Sequence, residues 1–290
     1  MLDFESIIQI PTPVQVLHDP LFDALGLQVG IKRDDLTHPY LSGNKYRKLK
    51  YVLIEARKQG FERLITFGGA YSNHLSAFVF ACKHFGFKGT VLVRGEELGP
   101  DSSPTLAFAS SQGLDLKFVS RTEYRDKDGL LAKYCQGAFH IPEGGSHVLA
   151  LRGVGEIWEE IDQEPDYLIT ACGTGGTLAG LIKYAPAGAQ VIGVPVLKGG
   201  AFIRKEVHAY LGAEVDVNLW TAYHFGGYAR YDDHLLHFMR EMEAKHRLPL
   251  EQVYTAKCLY ACYDQAKDGF FPPGSRVLVL HTGGLQGRLH

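Results

Sequence analysis

Lys45 stands in the run Ser42-Gly43-Asn44-Lys45-Tyr46-Arg47-Lys48-Leu49-Lys50. A Ser-Gly-Asn loop here feeds a helical pattern whose apolar residues include Leu49, Val52, Leu53 and Ala56. That pattern places Lys45 at a helix N-terminus. The partial positive charge there disfavours an ammonium, which is one way to lower an amine's pKa for Schiff-base chemistry. Read blandly, the same residue is a solvated lysine at a basic helix start.

Three further segments pair a strand end with polar side chains. Gly68-Gly69-Ala70-Tyr71-Ser72-Asn73-His74 follows the apolar run Leu64–Phe67 and precedes a helical pattern. Ser72 suits a helix N-cap, and Asn73 can donate to a phenolate-type oxygen. Cys172-Gly173-Thr174-Gly175-Gly176-Thr177 repeats the strand, Gly-rich loop, helix order. Such a loop turns backbone N–H groups inward on an anion, and the helix start adds favourable potential. It has no Walker lysine and no GxGxxG spacing, so a compact phosphate monoester fits better than a nucleotide. The third segment, His281-Thr282-Gly283-Gly284-Leu285, brings a hydroxyl to the end of Val277–Leu280. Tyr254 and Thr255 follow another short strand-like stretch, and a tyrosine alone proves little.

Strand-like runs at 64–67, 90–93, 116–120, 139–141, 167–171, 191–196 and 277–281 alternate with helical patterns. The helical patterns are 72–85, 105–112, 148–161, 177–184, 202–211, 234–246 and 259–267. This alternation predicts an α/β fold with a mostly parallel sheet, because parallel neighbours need crossovers. Ligands in such sheets bind at the carboxyl ends of strands, where the Gly/Ser/Thr/Asn loops fall. No Pro/Ser-rich linker divides the chain. The polar stretch Arg121–Gly137 is a candidate crossing between two lobes.

A length of 290 residues allows two lobes and a sizeable core. A net charge of -2 gives no electrostatic footprint for nucleic acid. No apolar run is long enough to span a membrane, and the first residues lack the basic start and apolar core of a signal peptide. Five cysteines with no CxxC pair suit a reducing compartment, so a cytoplasmic location is expected. His224, His234 and His237 read as solvated rather than as metal ligands, so no metal is expected.

Taken in order, GNKYRKL, the SNH after a strand, IPEGGS (141–146), GTGGTLAGL, VYTAK and HTGGLQG resemble the aminocyclopropane-carboxylate deaminase / D-cysteine desulfhydrase family. The resemblance spans nearly the whole chain. It implies pyridoxal 5'-phosphate (PLP) as cofactor and the two-lobed tryptophan-synthase-β-like fold (fold type II). The expected large domain is 1–48 with 140–290, and the inserted small domain is 49–139. Carried over by position, the PLP-linked lysine falls on Lys45 and the active-site serine on Ser72. Asn73 takes the place of the asparagine at the PLP 3'-oxygen. Gly173, Thr174, Gly175, Gly176 and Thr177 form the phosphate loop, with Lys48 close by. The active-site tyrosine falls on Tyr254. A second falls on Tyr228, although the Gly and Pro that follow it in the family are missing here. Thr282 falls at the pyridine nitrogen. A neutral hydroxyl there moderates the electron sink, which suits elimination.

In the deaminases Glu follows the tyrosine and the last motif reads H-L-G-G. Thr255 and Thr282 match the desulfhydrases instead, so the resemblance implies α,β-elimination from D-cysteine to pyruvate, ammonia and sulfide. Ring-opening deamination of aminocyclopropane carboxylate, amino-acid racemisation and a divergent PLP-binding protein are the alternatives. A small amino-acid substrate and a homodimer are implied as well. The chain departs from the family in a shorter stretch between Glu97 and His140, in Tyr71 before Ser-Asn, and in Glu143. An acid at position 143 is expected to repel a substrate carboxylate or to attract a cation.

Overall fold

Side chains along a strand alternate between two faces, and in this chain both faces are apolar. The computed structural model describes residues 2–288. Numbered along the chain, the strands are β1 (Val14–Val16), β2 (Gln28–Lys32), β3 (Arg63–Gly68), β4 (Lys88–Arg94) and β5 (Asp115–Val119). They continue as β6 (Phe139–Ile141), β7 (Tyr167–Cys172), β8 (Gln190–Pro195), β9 (Asn218–Leu219) and β10 (Arg276–Leu280). Six form one sheet in the order β1-β2-β10-β7-β8-β9, and four form a second in the order β5-β4-β3-β6. Only β1 pairs antiparallel; every other pairing is parallel.

Parallel sheets need both faces covered. In β7, Ile169 and Ala171 join one core while Leu168 and Cys172 join another. In β3, Leu64 faces one core, and Ile65 and Phe67 face its counterpart. Each sheet is thus packed on two sides.

Some expectations shift. β6 belongs to the smaller sheet, so a boundary at residue 140 cuts a strand. The stretch Arg121–Gly137 connects β5 to β6 and stays with that sheet instead of crossing between lobes. The helix expected over 148–161 breaks into Ala150–Gly155 and a single turn at Trp158–Glu160. Gly153 and Gly155 weaken it, and they permit close packing: a Cβ on Gly153 would strike the Arg47 carbonyl oxygen. Strands β1, β2 and β9 lie outside the expected set. Gly30 interrupts the apolar run of β2, and β9 is two residues long. Among the described residues no helix is long and apolar enough to cross a membrane.

Candidate active site

The loops that end β3, β4, β6, β7 and β10 converge on one cavity of about 860 Å3. It therefore lies where the carboxyl ends of strands from both sheets meet. Lys45 lines it from the first turn of the helix Asn44–Lys58. Its amine has no hydrogen-bond or ion-pair partner among the described residues, and burial pulls its pKa down to about 8. The cause is burial, where the sequence pointed to the helix N-terminus. The turn before it requires Gly43: φ is +57°, and a Cβ would strike the backbone of Thr282. The Ser-Gly-Asn loop and the end of β10 are thereby packed together, with Asn44 N–H facing the Thr282 carbonyl at 3.4 Å. Thr282 is buried and lines the cavity.

Lys48 is buried one turn further on and donates to Ser146 Oγ at 2.9 Å and to the Gly144 carbonyl at 3.3 Å. Burial, then the charge of Lys45, pushes its pKa well below the usual lysine range. The loop Gly173–Gly175 and the helix Gly176–Lys183 stand opposite. A Cβ on Gly176 would lie 2.6 Å from Ser146 Oγ and 3.2 Å from Lys48 Nζ. Ser146 Oγ meets Thr174 Oγ1 at 2.6 Å, and Asn44 Nδ2 donates to Thr177 Oγ1 at 3.0 Å. The Gly-rich loop and both lysines thus share one polar pocket with no carboxylate in these contacts.

Ser72 caps the helix Asn73–Phe85, its Oγ accepting from Leu75 N–H at 3.3 Å. Accepting there leaves the hydroxyl proton free to point elsewhere, and Ser72 also lines the cavity. Asn73 Oδ1 accepts from Gln286 at 2.8 Å, which leaves its Nδ2 as a donor. That amide sits where a Cβ on Gly284 would be. Behind them His74 is buried. Thr66 Oγ1 donates to the Ile141 carbonyl at 2.7 Å and so accepts from His74 Nε2 at 2.8 Å. Burial, then the charges of Lys45 and Lys48, holds His74 neutral.

On the far wall Tyr254 packs across Gly173, whose Cβ would lie 3.2 Å from the phenol oxygen. Burial, then Tyr228, Glu251 and Glu143, raises its pKa well above the usual value, so it is a neutral O–H. Tyr228 sits 6.1 Å away, ring to ring, and lines the same cavity. The carboxylate of buried Glu251 accepts from the N–H groups of Val253, Tyr254 and Thr255 at 2.6 to 2.7 Å. Burial is the main influence on Glu251 and raises its pKa.

A family pattern described as pyridoxal-phosphate dependent enzyme matches residues 6–283. The chain belongs to the pyridoxal-phosphate dependent enzymes, in the aminocyclopropane-carboxylate deaminase / D-cysteine desulfhydrase family. It is 30% identical to the bifunctional D-cysteine desulfhydrase/1-aminocyclopropane-1-carboxylate deaminase, mitochondrial, of Arabidopsis thaliana, over 97% of this chain and 78% of that one. It is 29% identical to the D-cysteine desulfhydrase of Salmonella newport, over 96% and 93%. A crystal structure of an ACC deaminase homologue superposes with a TM-score of 0.79 at 27% identity, covering 97% of this chain and 91% of that one. The PLP-dependent enzyme thus has the fold type II architecture, and PLP is its cofactor.

The residues present fit that cofactor. Buried Lys48 and part-buried Lys45, neither with a carboxylate partner among the described residues, face a glycine loop whose Gly176 leaves no room for a Cβ. Such a pocket suits a phosphate dianion and an electrophilic carbonyl. Every site residue expected from the sequence lies on the cavity wall except Gly176, which lies behind Ser146 and Lys48.

One expectation about specificity changes. Thr255 is buried and does not line the cavity: its Oγ1 accepts from Glu251 N–H at 2.9 Å and donates to the Glu251 carbonyl at 3.3 Å. Nor is Glu143 a lone acid, because Lys127 pairs with it at 3.0 Å. Asn44, Ser146, His74 and Glu251 belong to the site although the sequence reading did not select them. Asn44 and Ser146 stand inside the quoted motifs GNKYRKL and IPEGGS, which was the available signal. Nothing local marks Glu251, whose role depends on the fold around it.

Proposed function

We propose that the enzyme is a lyase that eliminates the β-substituent of a small amino acid, with D-cysteine as the substrate and pyruvate, ammonia and sulfide as products. The observation that carries this is the pair of lysines, Lys45 and Lys48, that line the cavity with the Gly173–Thr177 loop and have no carboxylate partner among the described residues, with a neutral phenol on the opposite wall. When bound, PLP supplies the electron sink for loss of the Cα proton. Lys45 is the residue to which it is attached, and its amine takes the Cα proton. Lys48, Thr174, Thr177 and the backbone of Gly173, Gly175 and Gly176 would hold the phosphate. The Nδ2 of Asn73 would donate to the 3'-oxygen, and Thr282 would stand as a neutral partner for the pyridine nitrogen. The hydroxyl proton of Ser72 holds the substrate carboxylate. Tyr254, kept protonated by burial, donates to the departing sulfur, and Tyr228 orients its hydroxyl.

Ring-opening deamination is the second reading, kept open because Thr255 does not line the cavity. Its hydroxyl is turned into the cap with Glu251, so that position does not separate the two chemistries here. We also infer a homodimer, as the resemblance implies, and a cytoplasmic setting, which five unpaired cysteines support.

A substrate panel on purified holoenzyme tests this. Pyruvate is expected from D-cysteine faster than from L-cysteine or D-serine, with sulfide released in equal amount. Release of 2-oxobutyrate from aminocyclopropane carboxylate with none of these activities would replace the first reading with the second.

A further inference from the structure

A second cavity, of about 540 Å3, adjoins the first. The two share Gly69, Ala70, Tyr71 and Arg94, so they join along the loop after β3 and at the last residue of β4. The added walls come from the shortened stretch that departs from the family, including Glu97, Arg121 and Arg125.

Charge at this end is unbalanced. Glu97 is matched by Arg121 at 2.7 Å, and Glu143, on the first cavity's wall, is matched by Lys127 at 3.0 Å. No carboxylate pairs with Arg94 or Arg125 among the described residues. Arg94 is exposed and lies over the Tyr124 ring, 5.9 Å from its centroid. Two guanidiniums therefore line the second cavity without a carboxylate partner among the described residues, and Arg94 also lines the first. A guanidinium offers a planar fork of donors that suits carboxylate and phosphate. The neutral side chain of cysteine gives it nothing to bind.

We propose that the second cavity is a subsite for a distal anion: the substrate is an α-amino acid whose side chain ends in a carboxylate or a phosphate, read by Arg94 and Arg125. This rests on the elimination chemistry proposed above, and in place of D-cysteine it sets a substrate whose departing group carries the anion. In each case Cα loses a proton and the Cβ–O bond breaks with its electron pair going to the departing oxyacid. Water then hydrolyses the released enamine to pyruvate and ammonia.

The test uses holoenzyme and both enantiomers of O-phosphoserine, O-succinylserine and the neutral O-acetylserine. Binding is read from the change in cofactor absorbance, and turnover from pyruvate. The anionic compounds are expected to exceed O-acetylserine by about tenfold in kcat/KM or affinity, a difference of about 1.4 kcal/mol. Phosphoserine against succinylserine separates the two anions. Arg94→Gln and Arg125→Gln are expected to collapse the anionic-to-neutral ratio. With the unaltered holoenzyme, inorganic sulfate is expected to raise KM for O-succinylserine more than for O-acetylserine. Equal treatment of anionic and neutral compounds, or a preference that survives both substitutions, overturns the subsite while leaving the elimination reading intact. A protein that binds no PLP overturns both.

Discussion

At the scale of single residues, the site depends on two lysine amines whose pKa burial lowers. Lys45 has a pKa of about 8, below its ordinary 10.5, because it is taken out of water. The sign follows directly: above pH 8 the amine is free and nucleophilic, and below it the ammonium prevails. The rate at which apoenzyme captures added PLP should therefore rise with pH to a plateau, with a midpoint near 8. Visible absorbance followed by stopped flow measures it, and a midpoint near 10.5 would mean that Lys45 is solvated. At this scale the strand-end loops with Lys45, Ser72, Asn73 and the Gly/Thr segment were legible by type and spacing and do line one cavity, whereas Tyr254 was marked only by the family resemblance. The true partners of Thr255 and Glu143 were not legible, because a hydroxyl's or carboxylate's direction depends on which N–H or ammonium the fold brings to it.

At the scale of elements, one helix ties two parts of the site together. The helix Thr255–Lys267 starts at the Glu251 cap beside Tyr254. Its buried Lys257 donates to the carbonyls of His224 and Gly227 at 2.8 and 2.9 Å. Those carbonyls belong to the turn that presents Tyr228, in which Phe225, Gly226, Gly227 and Ala229 all have positive φ. Burial lowers the Lys257 pKa to about 8 despite nearby Glu251. Lys257→Met keeps the volume but leaves two carbonyls unsatisfied, at about 1–3 kcal/mol each. It should retain PLP, lose about tenfold in kcat, or about 1.4 kcal/mol of barrier, as Tyr228 loosens, and be cut faster by protease within residues 224–231. Unchanged cleavage and turnover would show that Tyr228 is held by something else. Strands such as β7 were readable from their unbroken apolar runs. The edge elements β1 and β9 were not, being three and two residues long.

At the scale of the whole molecule, we propose two lobes, one built on each sheet, with the cavity where their strand ends meet. The elements near their junction are held by a buried ion network. Arg47 bonds Asp34 at 3.0 Å and Glu160 at 2.5 Å, and Lys32 reaches Glu160 at 2.7 Å. Burial works to raise the Glu160 carboxyl, but the hydrogen bond and charge of Arg47, then Lys32, bring it down to about 2. A depressed carboxyl contributes its stability in full above its ordinary 4.5 and loses it as pH falls through 2. Denaturant melts should therefore show stability declining between pH 4.5 and 2. In Arg47→Met that acid-dependent slope should shrink while stability at neutral pH drops by about 3–5 kcal/mol, since two carboxylates lose their partner. An unaltered acid slope in the variant would remove Glu160 from the account. Strand-helix alternation made the α/β class readable, but the lobe boundary at 140 missed β6. Three residues of strand carry too little pattern to show which sheet they join.

The most direct test of the central claim is borohydride reduction of the holoenzyme, followed by digestion and mass spectrometry of the peptides. The account predicts a PLP adduct on Lys45 alone, and loss of the adduct and of visible absorbance in Lys45→Ala. An adduct on Lys48 or Lys257, or a colourless protein with none, would contradict it.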